Sequence, residues 1–123
     1  MSKKYLVTGS AGFIASQVSK QLLDLGVHVV GVDNLNDYYD VRLKNWRLKQ
    51  LKAHPNGQNF TFVGLDIEDQ TKLCNLFQAE GPFDAILNLA ARAGVRYSME
   101  NPHVYFSTNA VGTLNLLECM LAQ

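Results

Sequence analysis

Two features near the start of the chain could do chemistry by residue type and spacing. Thr8-Gly9-Ser10-Ala11-Gly12-Phe13-Ile14-Ala15 reads as GxxGxxA, set where one apolar run ends and a helical stripe begins. Such a turn suits a diphosphate. Gly9 permits the tight bend, Gly12 leaves room for phosphates to approach the main chain, and small Ala15 lets the helix lie close on the strand. The helix start adds unpaired N–H groups and the positive end of its dipole. Glycines also serve ordinary turns, so the weight falls on Asp33, which closes the second apolar run about 20 residues after them. A carboxylate there accepts hydrogen bonds from both hydroxyls of an adenosine ribose and repels a 2′-phosphate. The backbone of Gly9, Ala11, Gly12, Phe13 and Ile14, with Asp33 and its neighbour Asn34, therefore predicts a dinucleotide site that favours NAD over NADP. Asp66, after the third apolar run, is placed to reach the adenine edge, with Ile67 over the ring face. Asp66 reads equally as the N-cap of the helix that follows, and the two roles can coexist.

The elements that must position these residues alternate between two periods. Tyr5 to Val7, Val27 to Val32, Phe60 to Val63 and Ala85 to Leu89 are short apolar runs, as strands covered on both faces must be. Between them, Ile14, Val18, Leu22 and Leu25 recur at helical spacing before the stop at Gly26, and Glu68 to Gln78 reads as a helix with Leu73, Leu76 and Phe77 inward. Ala110, Leu114, Leu117 and Leu121 form a last helical stripe. The order is βαβ repeated, which predicts an α/β, doubly wound parallel sheet ending after a fourth strand and its helix. The stretch from Asn34 to Gly57 is longer than a plain connection needs and holds its own helix. On that helix Val41, Leu48 and Leu51 share one side, Leu43 and Trp46 fall on another, and Arg42, Lys44, Arg47, Lys49 and Lys52 are scattered among them. The basic side is either a solvated face or a contact to a partner or phosphate. His54-Pro55-Asn56-Gly57 is a turn and not a domain linker.

With 123 residues, 47% of them hydrophobic, the expectation is one domain spanning residues 1 to 123. Eleven basic residues balance eleven acidic ones, so no whole-chain field attracts nucleic acid or an anionic membrane. The residues from Met1 to Lys4 lead into an apolar run too short for a signal peptide or a membrane span, which predicts a cytoplasmic protein. Cys74 and Cys119 lack CxxC spacing and a nearby His pair, so they read as reduced buried thiols and not as a disulfide or metal site.

Thr8 to Ile14, Val32-Asp33-Asn34, Asp66-Ile67 and Asn88-Leu89-Ala90-Ala91 together resemble the extended short-chain dehydrogenase/reductase family of NAD-dependent epimerases and dehydratases. The stretches Asp33 to Lys44 and Ala93-Gly94-Val95-Arg96-Tyr97-Ser98 are similar to its UDP-glucuronate 4-epimerase branch. Asn101-Pro102, Tyr105 and Asn109 through Glu118 continue the match. The resemblance implies a Rossmann-type fold in which the glycine turn and Asp33 hold the adenosine half of NAD and Asp66-Ile67 frame the adenine. It implies that Leu89-Ala90-Ala91 pass under the pyrophosphate and nicotinamide ribose, and that Arg96 faces a nucleotide-sugar substrate. Asn109 resembles the family's structural asparagine. Two departures stand out: Ala15 replaces the usual third glycine, and Asn88 stands where relatives often carry His.

In that family a hydride leaves the sugar C4 for NAD, the keto sugar turns, and the hydride returns to the other face. The resemblance implies a tyrosine base with Lys four residues later and a Ser or Thr hydroxyl on the substrate alcohol. Tyr5, Tyr38, Tyr39, Tyr97 and Tyr105 are followed at that distance by Gly9, Arg42, Leu43, Asn101 and Asn109. Arg42 is the nearest imitation, and arginine does not titrate as the relay requires. No catalytic residue is therefore expected in this chain, which reads as the NAD-binding first part of such an enzyme. An open edge on the fourth strand would be apolar, which predicts a homo-oligomer or a partner that covers it.

Overall fold

The structure is a computed structural model and describes residues 3–35, 41–90 and 99–123. Strands β1 (Lys4–Thr8), β2 (His28–Asp33), β3 (Phe60–Gly64) and β4 (Ala85–Asn88) form one sheet in the order β3-β2-β1-β4. Every pairing is parallel, with Thr8 beside both Val32 and Asn88, and Asp33 beside Gly64. The chain runs from β1 through β2 to β3 on one side and returns to pair β4 on the other. The strand order thus reverses at β1, and the reversal opens a crevice at the carboxyl ends of β1 and β4.

Helices α1 (Phe13–Asp24) and α2 (Val41–Lys52) cover one face, while α3 (Gln70–Glu80) and α5 (Gly112–Ala122) cover the other. The short α4 (Pro102–Phe106) and a π-helical turn (Ser107–Val111) lead into α5. Side chains alternate along β1: Val7 packs with Ala11, Ala15, Leu23, Leu48 and Leu51, whereas Leu6 packs with Leu73, Leu76, Phe77, Leu116 and Cys119. Both faces are thereby dry, which is why the strands read as unbroken apolar runs.

Two helical stripes differ from the sequence expectation. On α1 the buried residues are Ala15, Ser16, Ser19 and Leu23, while Ile14 is 65% and Leu25 78% exposed. The helix is turned about one residue from the Ile14, Val18, Leu22, Leu25 face because small side chains let its backbone approach the sheet more closely than branched ones would. On α5 the inward residues are Gly112, Asn115, Leu116 and Cys119, and Leu114, Leu117 and Leu121 lie exposed. Gly112 decides this, since a Cβ there would fall 2.6 Å from Ile67 Cδ1. That close approach fixes which side of α5 meets the core.

Cys74 on α3 and Cys119 on α5 are free thiols with their Sγ atoms 2.9 Å apart. Cys119 is buried and Cys74 only half-buried. Burial first, then the hydrogen bond to Cys74, pushes the Cys119 thiol up to about 12. Iodoacetamide at pH 8, followed by peptide mass mapping, should therefore modify Cys74 well before Cys119; equal rates would count against this packing. A second expectation concerns Gly31 inside β2, where a Cβ would fall 2.8 Å from Ser10 Cβ. Gly31→Ala should lower the urea midpoint by overpacking worth about 1–3 kcal/mol.

Candidate functional site: the glycine turn and its carboxylate

Gly9 sits at φ +66°, a left-handed conformation that L side chains rarely adopt, and a Cβ there would lie 2.8 Å from the Leu89 carbonyl oxygen. The Gly12 amide donates to the Gly9 carbonyl at 2.8 Å, closing the bend, and Ser16 N–H then donates to Gly12 O at 3.0 Å to open α1. Gly12 is the extended N-cap of α1 and no side chain caps that end. The first-turn amides of α1 are thus left for a ligand and its negative charge. Phe13, 71% exposed, and Ile14 border this end on the solvent side.

Asp33 is built into the same place. Its Oδ2 accepts from the Ala11 amide at 3.2 Å and its Oδ1 from the Leu35 amide at 2.7 Å. Leu35 takes the left-handed φ of 54° to deliver that amide, a conformation costing about 1–2 kcal/mol for a non-glycine residue. Each carboxylate oxygen keeps a further lone pair, enough to accept two ribose hydroxyls. The Ser10 amide donates to Val32 O at 3.1 Å, so the turn is also tied to the strand that carries Asp33.

Two of the basic residues of α2, Lys44 and Arg47, face this site, while Arg42, Lys49 and Lys52 are exposed. Lys44 is 5% exposed, with its Nζ 3.7 Å from Asp33 Oδ1. One turn later Arg47 Nη1 donates to the Ala11 carbonyl at 3.2 Å, and its guanidinium lies 5.7 Å from the Phe13 ring centroid. Ala11 is thus gripped at its N–H by Asp33 and at its C=O by Arg47. A signal was present in the sequence, because Lys44 shares its helical face with buried Leu48 and Leu51 at spacings of four and seven.

Across the crevice, Thr8 joins β1 to β4. Its fully buried hydroxyl donates to Asn88 Oδ1 at 2.6 Å and accepts from the Leu89 and Ala90 amides at 2.9 and 3.0 Å. Asn88 in turn donates to Thr113 Oγ1 at 2.9 Å, so the residue that departs from the usual His ties β4 to α5. Leu89 and Ala90 are held directly against Gly9.

Asp66 closes the far side. Its Oδ2 accepts from Asn34 Nδ2 at 3.2 Å and its Oδ1 from the Glu68 amide at 2.9 Å. It is not the cap of α3: that role belongs to Asp69, which accepts from the Lys72 amide at 3.1 Å. Ile67 is 4% exposed, its side chain seated beneath Gly112 and not open towards a ring. Its carbonyl accepts from Asn115 at 2.9 Å. Asn115 thus ties α5 to the loop after β3, while Asn109 lies exposed in the π-helical turn. Ala91 and Arg96 lie outside the described residues. Among the described residues no group of His, Cys, Asp and Glu is arranged to hold a metal.

Parallel strands with a glycine turn opening α1 and an acidic residue ending β2 define the Rossmann class of dinucleotide-binding folds. The chain belongs to the family described as GDP-mannose 4,6 dehydratase, whose sequence profile matches residues 6–123. It is 53% identical over 116 residues to a UDP-glucuronate 4-epimerase of Thermodesulfobacterium geofontis, covering 94% of this chain and 35% of that protein. A UDP-Glc/GlcNAc 4-epimerase from Campylobacter jejuni superposes with a TM-score of 0.85 at 33% identity, over 98% of this chain and 34% of that one. A UDP-glucuronic acid 4-epimerase from Bacillus cereus, crystallised with a fluorinated UDP-glucuronic acid and NAD, superposes at 0.81 with 36% identity, over 94% and 35%. The resemblance read from the motifs is borne out, and the chain spans about a third of the length of these relatives.

The Thr8 hydroxyl offers a direct check on the crevice. Thr8→Val keeps the shape but strands the Leu89 and Ala90 amides, and should cost about 1–3 kcal/mol in urea unfolding. Thr8→Ser should recover most of it.

Proposed function

We propose that this chain is the NAD-binding portion of a nucleotide-sugar 4-epimerase of the UDP-glucuronate type. The observation that carries the reading is the Asp33 carboxylate hydrogen-bonded to the amide of Ala11 within the glycine turn, at 3.2 Å. Residues Gly9 to Ile14 would present main-chain amides to the pyrophosphate, Asp33 would accept the ribose hydroxyls, and Asn34 and Asp66 with the Ile67 backbone would border the adenine. Leu89, Ala90 and Ala91 would run beneath the nicotinamide half, and Arg96 would meet the sugar nucleotide's charge. When bound, NAD supplies the hydride acceptor that a 4-epimerase needs at the sugar carbon. What this sequence does not hold is a tyrosine followed four residues later by lysine, so we propose that the chain binds cofactor but does not turn over sugar nucleotides.

A second reading rests on a different observation. Among the described residues no strand pairs with the outer side of β4, and Leu114, Leu117 and Leu121 are exposed on α5. A stand-alone NAD-binding or scaffold module that self-associates there would bury both features. Light scattering behind size exclusion, with and without NAD, decides between them: a discrete NAD-binding dimer favours the module, and a monomer refutes it. We also assign a cytoplasmic location and no membrane or nucleic-acid partner, the latter supported by the balance of eleven basic against eleven acidic residues. No helix among the described residues is long and apolar enough to cross a membrane.

Calorimetric titration tests the cofactor reading. NAD should bind more tightly than NADP, and Asp33→Ala should weaken NAD binding by about 1.5–3 kcal/mol while narrowing the preference. An unchanged preference would remove Asp33 from the ribose site.

A further inference from the structure

The chain has two cysteines, and the fold brings them together. Cys74 on α3 and Cys119 on α5 are separated by 45 residues, yet their Sγ atoms lie 2.9 Å apart as free thiols. The two helices pack on each other, and hydrogen bonds hold their register along the seam. Gln70 Nε2 donates to Glu118 Oε2 at 2.5 Å one turn before Cys74, while the Gln123 side chain donates to Phe83 O at 3.1 Å and accepts from the Phe83 amide at 2.9 Å. A covalent S–S bond is about 2.05 Å long, so closure by about 0.9 Å converts the thiol contact into a bond. Cys74 is half-buried and so within reach of a small reagent, whereas Cys119 is buried. Among the described residues no group of three His, Cys, Asp or Glu side chains could hold a metal, so the pair lacks the further ligands of a zinc site.

We infer that Cys74 and Cys119 form a redox-active dithiol, a modification site at which a hydroperoxide closes a reversible disulfide between α3 and α5. Cys74 reacts first, because it is the more accessible of the two and Cys119 is held protonated, its thiol pushed up to about 12 by burial and then by the hydrogen bond to Cys74. The Cys74 sulfur attacks one oxygen of the peroxide; the O–O bond breaks, water or an alcohol departs with the thiol's proton, and a sulfenic acid remains. The Cys119 sulfur then attacks the Cys74 sulfur. The S–O bond breaks, the S–S bond forms, and the hydroxyl leaves with the Cys119 proton as water. Two electrons pass from the pair of thiols to the peroxide. The new bond closes a loop of 45 residues, which removes conformational freedom from the unfolded chain and makes the oxidised fold the more stable one. Neither sulfur belongs to the dinucleotide site, so the inference stands independently of the cofactor reading.

The test treats the folded, reduced 123-residue chain with hydrogen peroxide and then maps its peptides by mass spectrometry without reduction. The expected result is one intramolecular cross-link between the Cys74 and Cys119 peptides, with a loss of two hydrogens that dithiothreitol restores. The oxidised chain should unfold at a higher urea concentration than the reduced one, and dithiothreitol should abolish the difference. Cys119→Ser should trap Cys74 as a sulfenic acid that dimedone labels, whereas Cys74→Ser should leave Cys119 unmodified at the same dose. The cross-link and the urea midpoint of the parent chain decide the matter even if neither variant folds. Disulfide-linked dimers, a sulfinic acid at Cys74 without a cross-link, two thiols left intact, or a midpoint that oxidation leaves unchanged or lowers would each overturn the inference.

Discussion

The constraint on which the site depends is the contact between Gly9 and the Leu89 carbonyl. With φ at +66° and only 2.8 Å from the place of a Cβ to that oxygen, the position admits no side chain. The bend it makes aims the chain from β1 into α1, so that the end of the helix points at the crevice. The same contact pins the segment after β4 against the turn, and the Thr8 hydroxyl secures it with two amide bonds. The parallel register then brings Asp33 level with this bend, since Thr8 lies beside Val32. Each part of the site is thus a consequence of the sheet's alignment at its carboxyl edge.

Charge is handled differently on the two sides of that edge. At the start of α1 no side chain cap competes for the amides, and the helix dipole is left uncompensated. At Asp33 the charge is met by two backbone amides and a buried ammonium. Helix α2 supplies that ammonium from Lys44 and a brace on the turn's opposite side from Arg47. A helix of low apolar content is therefore retained against the sheet by two leucines and by what its cations hold in place.

Much of the fold was legible in the residues. Four apolar runs marked the strands to within a residue or two, and the βαβ alternation allowed few topologies other than the observed order. Helix faces were less legible. The α1 stripe pointed at Ile14 and Leu25, but close packing rewarded Ala15, Ser16 and Ser19, and periodicity weighs hydrophobicity without weighing size. On α5 both sides are apolar, so the pattern could not say which side faces in; Gly112 against Ile67 settled it. Asp69 and not Asp66 caps α3, because the helix begins at Gln70, two residues later than the pattern suggested.

The sequence by itself determined the class of site: glycines spaced for a tight strand-to-helix bend, and an acid at the end of the next strand. These are local requirements, set by backbone conformation and by the distance along one βαβ unit, and local chemistry is written in residue order. Tertiary structure alone decided what surrounds them. Lys44 meets Asp33 across eleven residues, Thr8 meets Ala90 across more than eighty. Such pairings depend on how strands and helices stack in three dimensions, where separation along the chain ceases to measure distance.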